Sequence, residues 1–427
     1  MSLLPPASPE EVLSTLSLDG TRRRVDPNLS PGKWLNRRRA VGYSLIALFA
    51  AAPWVTVGGK PLVLLDLMHR EFTFFGTTLF ATDTLLLMLF LLGVFALVFA
   101  LTAFLGRVWC GWACPQTVYL ELVFRPIERA ILGSRHTRKN ASGAQHAAFW
   151  VANTLVALVL AHIFLAWFVP VGELWSWMGS SPFEHGTTFA VMAVTTALIL
   201  FDFGWFREQM CTLVCPYGRL QSVLLDRNSL IVGYDSKRGE PRGKASLKAE
   251  IRASGTADVA PVGDCVDCKA CVATCPTGID IRRGLQMECI ACTQCIDACD
   301  DIMVRLDRPK GLIRYTTTAT LAGAAPRAKL RLRPLIYGAV VAVAFTTLAI
   351  VATHRRAADI QVLRDKNAPF LTLDGGLVSN SLRVKIRNRT DSERTYTVAI
   401  PDVPGIRLAS PDLPLTLAPG ESGTASL

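Results

Sequence analysis

Cys265-Val-Asp-Cys268-Lys-Ala-Cys271-Val-Ala-Thr-Cys275-Pro276 and, further on, Cys289-Ile-Ala-Cys292-Thr-Gln-Cys295-Ile-Asp-Ala-Cys299 are the stretches on which the reading of this chain turns. Both have the C-x₂-C-x₂-C-x₃-C spacing of bacterial [4Fe–4S] sites. Three closely spaced thiolates wrap a tight loop around one face of a cubane, and the remaining iron has to be met from elsewhere. The last cysteine of each run therefore crosses to the other cluster. That logic assigns Cys265, Cys268, Cys271 and Cys299 to one cluster, and Cys289, Cys292, Cys295 and Cys275 to the other. Small or apolar residues between them, as in Val272-Ala273-Thr274 and Ile290-Ala291, shield the sulfurs. The runs depart from the usual pattern where Asp300 rather than Pro follows Cys299, and in the short connection from Cys275 to Cys289. Zinc sites rarely repeat a run of this kind, and disulfides are disfavoured in a reducing cytoplasm.

The chain has 12 cysteines, and those outside the tetrads form two pairs. One is Trp109-Cys110-Gly-Trp-Ala-Cys114-Pro115 and the other is Met210-Cys211-Thr-Leu-Val-Cys215-Pro216. Each pair is spaced i, i+4, so on a helix both thiols share one face, and each ends in a proline that would kink or stop that helix. The repeat reads as a duplication. If its halves pack about a pseudo-twofold axis, the four thiols converge near the membrane surface. Soft thiolates there suit Cu(I), thiol–disulfide cycling or a further cofactor.

Of the 427 residues, 51% are hydrophobic and 19% charged, and the apolar residues run together. That pattern belongs to membrane proteins. Five stretches read as spanning helices: about Val41 to Val57 (short), Thr84 to Leu105, Phe149 to Val169, Thr187 to Phe206, and Pro334 to Thr353. The formal charge of +11 is gathered in alternate loops. Arg22, Arg23, Arg24, Lys33, Arg37, Arg38 and Arg39 lie before the first span. Arg107, Arg125, Arg129, Arg135, Arg138 and Lys139 follow the second. The loops from Gly59 to Asp83 and from Val171 to Gly186 are poor in them. The positive-inside rule then places the N-terminus in the cytoplasm and the C-terminus outside. No nucleic-acid module accompanies the charge, so nucleic acid is not an expected partner. His162 is a lone histidine within a span, with no second one at matching depth to hold haem. Trp150, Trp167, Trp175 and Trp177 fit an interfacial belt, and Asp202 is placed to pair with Arg207.

The organisation read from these features is a cytoplasmic tail over 1–40, a four-span membrane domain over 41–206, and a cytoplasmic segment over 207–333. A bacterial-type two-cluster ferredoxin domain lies at about 260–310. A fifth span follows at 334–353, and a β domain at 360–427. In that last region Leu382, Val384 and Ile386 alternate with Arg383, Lys385 and Arg387, a half-buried strand pattern that Tyr396, Val398 and Ile400 repeat.

With these motifs in view, the chain resembles the FixG/RdxA/CcoG family, accessory proteins for assembly of cbb3-type cytochrome c oxidase. The likeness rests on Arg107-Val-Trp-Cys-Gly-Trp-Ala-Cys-Pro-Gln-Thr-Val-Tyr119, Arg207-Glu-Gln-Met-Cys211, Cys215-Pro-Tyr-Gly-Arg-Leu-Gln-Ser222, Tyr234 with Arg238-Gly-Glu-Pro-Arg242, Cys275-Pro-Thr-Gly-Ile-Asp-Ile-Arg282 and Gly311-Leu-Ile-Arg-Tyr315. The resemblance implies a bacterial inner-membrane protein with five spans, cytoplasmic clusters and an external immunoglobulin-like domain. Such a sandwich takes roughly 100 residues and seven strands, whereas about seventy residues follow the fifth span, so the expectation is a reduced or truncated domain without its last strands. It also implies reduction of Cu(II) to Cu(I), with Cys110, Cys114, Cys211 and Cys215 as the copper or redox thiols. The expected partners are a cytoplasmic electron donor, copper ions and oxidase assembly factors. An electron-transfer subunit of a quinol dehydrogenase and a non-redox copper assembly scaffold are the competing readings.

Overall fold

The fold was obtained as a computed structural model. It describes residues 14–16, 19, 21–68, 70–80, 83–133, 138–243, 263–324, 332–354, 356–364, 370–373, 377–390, 392–400 and 404–427. Arg135, counted above among the loop charges, and the first part of the 260–310 segment lie outside these residues. The chain divides into two compact units, Met1–Phe80 with Leu91–Val343, and Ala81–Phe90 with Ala344–Leu427.

Among the described residues, four helices are long and apolar enough to cross a membrane: Thr84–Leu105 (α2), Gly143–Leu165 (α6), Gly186–Phe206 and Leu335–Thr353. The third is α8 (Gly186–Ile199) continued by a π-helical stretch, Leu200–Phe206. The first expected span is not among the four. Its helix, α1 (Lys33–Ala51), starts well before Val41 and gives way to a 3₁₀ turn at Ala52–Trp54. Lys33, Arg37, Arg38 and Arg39 occupy its first two turns, and that charge is what separates it from the others.

The spanning helices turn apolar side chains outward. On α6, Val151, Leu155 and Val159 are exposed, while Asn153, Ala157, Ala161 and Leu165 form the buried stripe. Small residues on that stripe allow close approach of α8, which packs beside it. Ser142 and Gln145 cap the start of α6 reciprocally. A three-stranded antiparallel meander, Val63–Asp66, Glu71–Phe74 and Thr77–Phe80, fills the segment before α2.

After α2 the chain turns at Gly106 (φ 61°), where a Cβ would stand 2.1 Å from the Leu230 carbonyl oxygen. Short helices α3 (Val108–Trp112) and α4 (Pro115–Tyr119), a π-helical turn Leu120–Phe124 and α5 (Arg125–Leu132) follow. The second half repeats the start of this plan: a π-helical turn Met210–Val214, then α9 (Pro216–Leu224). Here the structure corrects the single-helix reading of each cysteine pair. Cys114 and Cys215 are extended (ψ 126° and 109°); each preceding helical turn stops just short of the proline, at Trp112 and Val214, and the proline opens a new helix. Proline at a first helical position gives up no hydrogen bond, because that N–H has no partner in any helix.

The cysteine tetrads fold with two strands outside 260–310. Ile231–Tyr234 pairs antiparallel with Ile313–Thr316. The helix Gln294–Arg305 and the buried side chains Val232, Ile279, Ile281, Ile296, Met303, Leu312 and Ile313 complete this core.

The second unit carries seven strands among the described residues. Ala358–Arg364, Leu382–Asn388 and Ser422–Ser426 form one antiparallel sheet with Leu382–Asn388 in the middle. Arg394–Tyr396 pairs with Leu415–Leu417, and Leu371–Leu373 with Leu377–Ser379. Val384, Ile386 and Leu417 make a small core. Ser422–Ser426 is a strand that the sequence pattern did not show. Several others have only three residues, too few for alternation to reveal.

Candidate metal centres

Two cavities, each with about 350 Å³ of open space, lie within the tetrad domain. Cys275, Cys289, Cys292 and Cys295 line one, together with Cys271, which lines both cavities, and with Val232, Ile279, Ile281 and Ile290 as apolar wall. Cys265, Cys268, Cys271 and Cys299 line the other, together with Tyr234, Ile302, Met303, Leu312 and Ile313. The last cysteine of each run thus lines the cavity of the other run. Among the described residues, no three Cys, His, Asp or Glu side chains close on a point as ligands of a single ion would. A soft, all-sulfur donor set around an apolar void fits an iron–sulfur cubane better than a lone tetrahedral zinc.

The backbone is shaped for the same purpose in both loops. Asp267 and Lys269 flank Cys268 with φ of 51° and 57°, and Ala291 and Thr293 flank Cys292 with φ of 53° and 67°. Non-glycine residues there cost of order 1–3 kcal/mol each, which the surrounding structure must offset. In the second loop the effect is direct: the N–H groups of Ala291 and Gln294 donate to the sulfurs of Cys289 and Cys292. Hydrogen bonds to sulfur are among the levers that tune cluster potential.

Burial pushes the thiols up: Cys289 to about 11, and Cys271, Cys292 and Cys299 to about 12, with neighbouring thiols adding to the rise. Coordination by a metal reverses this and deprotonates a thiol outright. Two buried guanidiniums stand by the second tetrad. Arg38 Nε donates to the Gly111 carbonyl at 2.6 Å and lies beside Cys292. Arg107 Nη1 donates to the Cys289 carbonyl at 3.2 Å and also to that of Met287.

The first membrane-flanking pair is seated on this second tetrad. A Cβ on Gly111 would be 2.5 Å from the Ile290 oxygen and 2.9 Å from Cys292 Cα, so only glycine lets the two backbones meet. Trp112 Nε1 donates to the Tyr315 hydroxyl, which in turn donates to the Ala291 carbonyl, both at 3.2 Å.

The four flanking thiols are in electrostatic reach of one another. Burial raises Cys110 to about 12, and Cys114 and Cys215 add to it. Cys211 is raised by burial and then by Cys114, Cys110 and Cys215. The two halves also interlock through hydrogen bonds. Cys110 Sγ donates to Gln221 Oε1 at 3.1 Å, and Arg107 Nη2 donates to the Gly218 carbonyl at 3.3 Å. Gln116 Nε2 donates to Asp202 Oδ1 at 3.0 Å and to the Arg207 carbonyl at 3.1 Å. Asp202 therefore meets Gln116. The Arg207 guanidinium turns instead to Glu128 (3.1 Å) and Glu208 (3.7 Å).

Arg38, Arg107, Gln221 and Tyr315 escaped the sequence reading as site residues. Arg107 and Tyr315 stand at the ends of quoted motifs, which was the available signal; Arg38 was counted only as a topological charge. His162 bonds within its own helix, its Nδ1 2.8 Å from the Leu158 carbonyl.

Comparison with known proteins agrees with this geometry. A family model described as a 4Fe-4S dicluster domain matches residues 206–318, and one described as a 4Fe-4S binding domain matches 87–140. A third, the IG-like fold at the C-terminus of FixG, matches 348–427. The nitrogen fixation protein FixG of Rhizobium meliloti is 34% identical over 90% of this chain and 80% of its own length. Protein RdxA of Cereibacter sphaeroides is 33% identical over 85% of this chain and 79% of its own. The ferredoxin-type protein NapH of Haemophilus influenzae is more distant, at 25% over 62% of this chain and 87% of its own. No solved structure matches. With two thiol-lined cavities, helices fit to span a membrane and relatives alike along most of its length, the chain belongs to the FixG/RdxA/RdxB family of membrane iron–sulfur electron-transport proteins.

Proposed function

We propose that this protein reduces Cu(II) to Cu(I) for assembly of cbb3-type cytochrome c oxidase, with Cys110, Cys114, Cys211 and Cys215 as the thiols that meet copper. Cys265, Cys268, Cys271 and Cys299 hold one cluster, and Cys289, Cys292, Cys295 and Cys275 hold the other. When bound, these clusters supply reversible one-electron transfer. The observation that carries the reading is the seating of Gly111 against Cys292, which brings the Cys110–Cys114 segment onto the second tetrad with no side chain between.

Each Cu(II) takes one electron to become Cu(I). Thiolate favours the soft Cu(I) product over Cu(II), which adds to the driving force. Burial, with the neighbouring thiols adding to it, holds Cys110 and Cys211 well above the usual thiol range, so each gives up its proton on meeting the ion. Cys268 is the exposed cysteine of the tetrads, so the first site is where an electron donor approaches. The positive-inside pattern puts that donor in the cytoplasm and the C-terminal β domain in the periplasm of a bacterial inner membrane. Oxidase assembly factors receive the reduced copper.

The test is an anaerobic copper-reduction assay on purified full-length protein. Cys110→Ser combined with Cys211→Ser should abolish turnover while leaving visible cluster absorbance and about eight irons per chain. Unchanged turnover would sink the role given to these thiols.

Similarity to NapH favours a second reading, an electron-transfer subunit of a quinol dehydrogenase. Quinol-dependent bleaching of the clusters, with no copper reduction, would select it.

A further inference from the structure

Beside the tetrads lies a cavity of about 170 Å³ that the copper chemistry does not use. Arg125, Arg129, Arg138 and Arg207 line it, with Asp26 and Glu128 as its acids. The surrounding ion pairs are crowded. Glu128 meets Arg24, Arg138 at 3.1 Å and Arg207 at 3.1 Å. Asp26 meets Arg138 at 2.7 Å, and Glu208 meets Arg125 at 3.2 Å. With their ion-pair partners counted, six guanidiniums (Arg22, Arg24, Arg125, Arg129, Arg138 and Arg207) face four carboxylates (Asp26, Glu121, Glu128 and Glu208), which leaves surplus positive charge around the cavity.

Donors remain over as well. Nε of Arg125, Nε of Arg138 and Nη2 of Arg207 are buried and make no hydrogen bond among the described residues, and Nε of Arg207 has only its 3.7 Å ion pair with Glu208. The side chains of Arg125 and Arg207 are 2% and 3% exposed. Buried donors without acceptors and buried charge without full compensation are both costly. A tetrahedral oxyanion answers both needs, since guanidinium forks match its oxygens. We infer that this cavity binds a phosphate group.

Position along the chain bears on its source. Arg207 directly follows the spanning helix Gly186–Phe206, and Arg138 shortly precedes the spanning helix Gly143–Leu165. Residues at span ends lie at headgroup depth, where anionic lipid phosphates are concentrated. Free phosphate offers the same oxygens. The site also touches the cluster domain. Arg125 Nη2 donates to the Pro276 carbonyl at 3.4 Å, next to Cys275, so an occupant bears on that loop.

The test uses full-length, cluster-loaded protein delipidated in a neutral detergent. Inorganic phosphate, short-chain phosphatidylglycerol and short-chain phosphatidylcholine are titrated by thermal shift and native mass spectrometry. Binding of phosphate or phosphatidylglycerol should weaken about tenfold in Arg129→Gln, whose side chain is half-buried and leaves the buried pairs in place. Asp26→Asn should bind more tightly than the parent, because it removes the carboxylate that competes for Arg138. A folding defect cannot imitate that gain. Phosphatidylglycerol binding ten times tighter than phosphate, with phosphatidylcholine weak, assigns the site to a lipid headgroup. Equal affinity for phosphate and phosphatidylglycerol assigns it to free phosphate. Binding by neither, or binding insensitive to both substitutions, overturns the inference.

Discussion

A methyl group on Gly111 would press on the Ile290 oxygen at 2.5 Å and on Cys292 Cα at 2.9 Å, both backbone atoms that cannot swing aside. Gly111→Ala should therefore push the Cys289–Cys295 loop off the membrane-flanking segment. The expected outcome is a fall from about eight to about four irons per chain, read by metal analysis, with the cluster at Cys265, Cys268, Cys271 and Cys299 retained. Full iron content in that variant would show that the contact can relax. Residues of this kind also mark the limit of what the sequence discloses. The cysteine spacings are legible because a cubane must be gripped by a short local loop. Arg38 and Arg107 look like ordinary positive-inside charges, yet they are 2% and 6% exposed, and each donates to a carbonyl many residues away. Nothing local distinguishes a topological arginine from one folded inward.

At the scale of elements, the start of α1 is capped from a remote part of the chain. Its Gly32 N-cap has no side chain, and the backbone N–H groups of Trp34 and Leu35 donate to Asp297 at 3.2 and 2.7 Å. The carboxylate belongs to the helix Gln294–Arg305, so one acid joins the first membrane-proximal helix to the cluster domain. It also sits where the positive end of the helix dipole favours negative charge. Asp297→Ala should cost about 1–2 kcal/mol. Thermal unfolding followed by cluster absorbance should show the loss, and Asp297→Asn should recover part of it. The span pattern shows a similar division. α2 and α6 are visible as apolar runs, because length and apolarity are the membrane's own criteria. α1 mixes a charged half with an apolar one, so its start at Lys33 was not visible from its hydropathy. The Cys-Pro junctions are helix stops as the prolines imply, but each is also a helix start, because proline forbids only what precedes it; that splits each cysteine pair across the junction.

For the whole molecule, the charge asymmetry of the loops makes a testable topology. A reporter fused at Lys237 should read as cytoplasmic, and one fused after Arg389 as periplasmic. The same side for both would remove the crossing at Leu335–Thr353. The membrane class, the two-cluster domain and the β character of the C-terminal region were all legible, since each rests on periodicity or spacing within one segment. The second unit's seven strands were not, because Leu371–Leu373 and Leu415–Leu417 are too short for a period of two to register. The shared ion network of Asp26, Arg125, Glu128, Arg138, Arg207 and Glu208 was equally hidden, since it joins residues from widely separated segments of the chain.

The segment before α1 lies across the cluster loops. Ser14 Oγ donates to the Thr277 carbonyl at 2.7 Å, Asn28 N to the Ala273 carbonyl at 2.8 Å, and Thr274 Oγ1 to the Asn28 carbonyl at 2.8 Å. A ribosome makes residues 14–30 long before residues 273–277 exist. During synthesis, at 5–20 residues per second as an order of magnitude, that leading stretch waits about ten to fifty seconds for these loops, with only earlier-made partners such as Glu128 and Arg138 to hold it. A chain that then fails to acquire iron leaves it waiting indefinitely. Limited proteolysis of iron-starved protein should clip first between Arg22 and Arg24, whereas loaded protein resists there. The N-terminus would then act as a quality tag, read by proteases and covered only once the metal has been delivered.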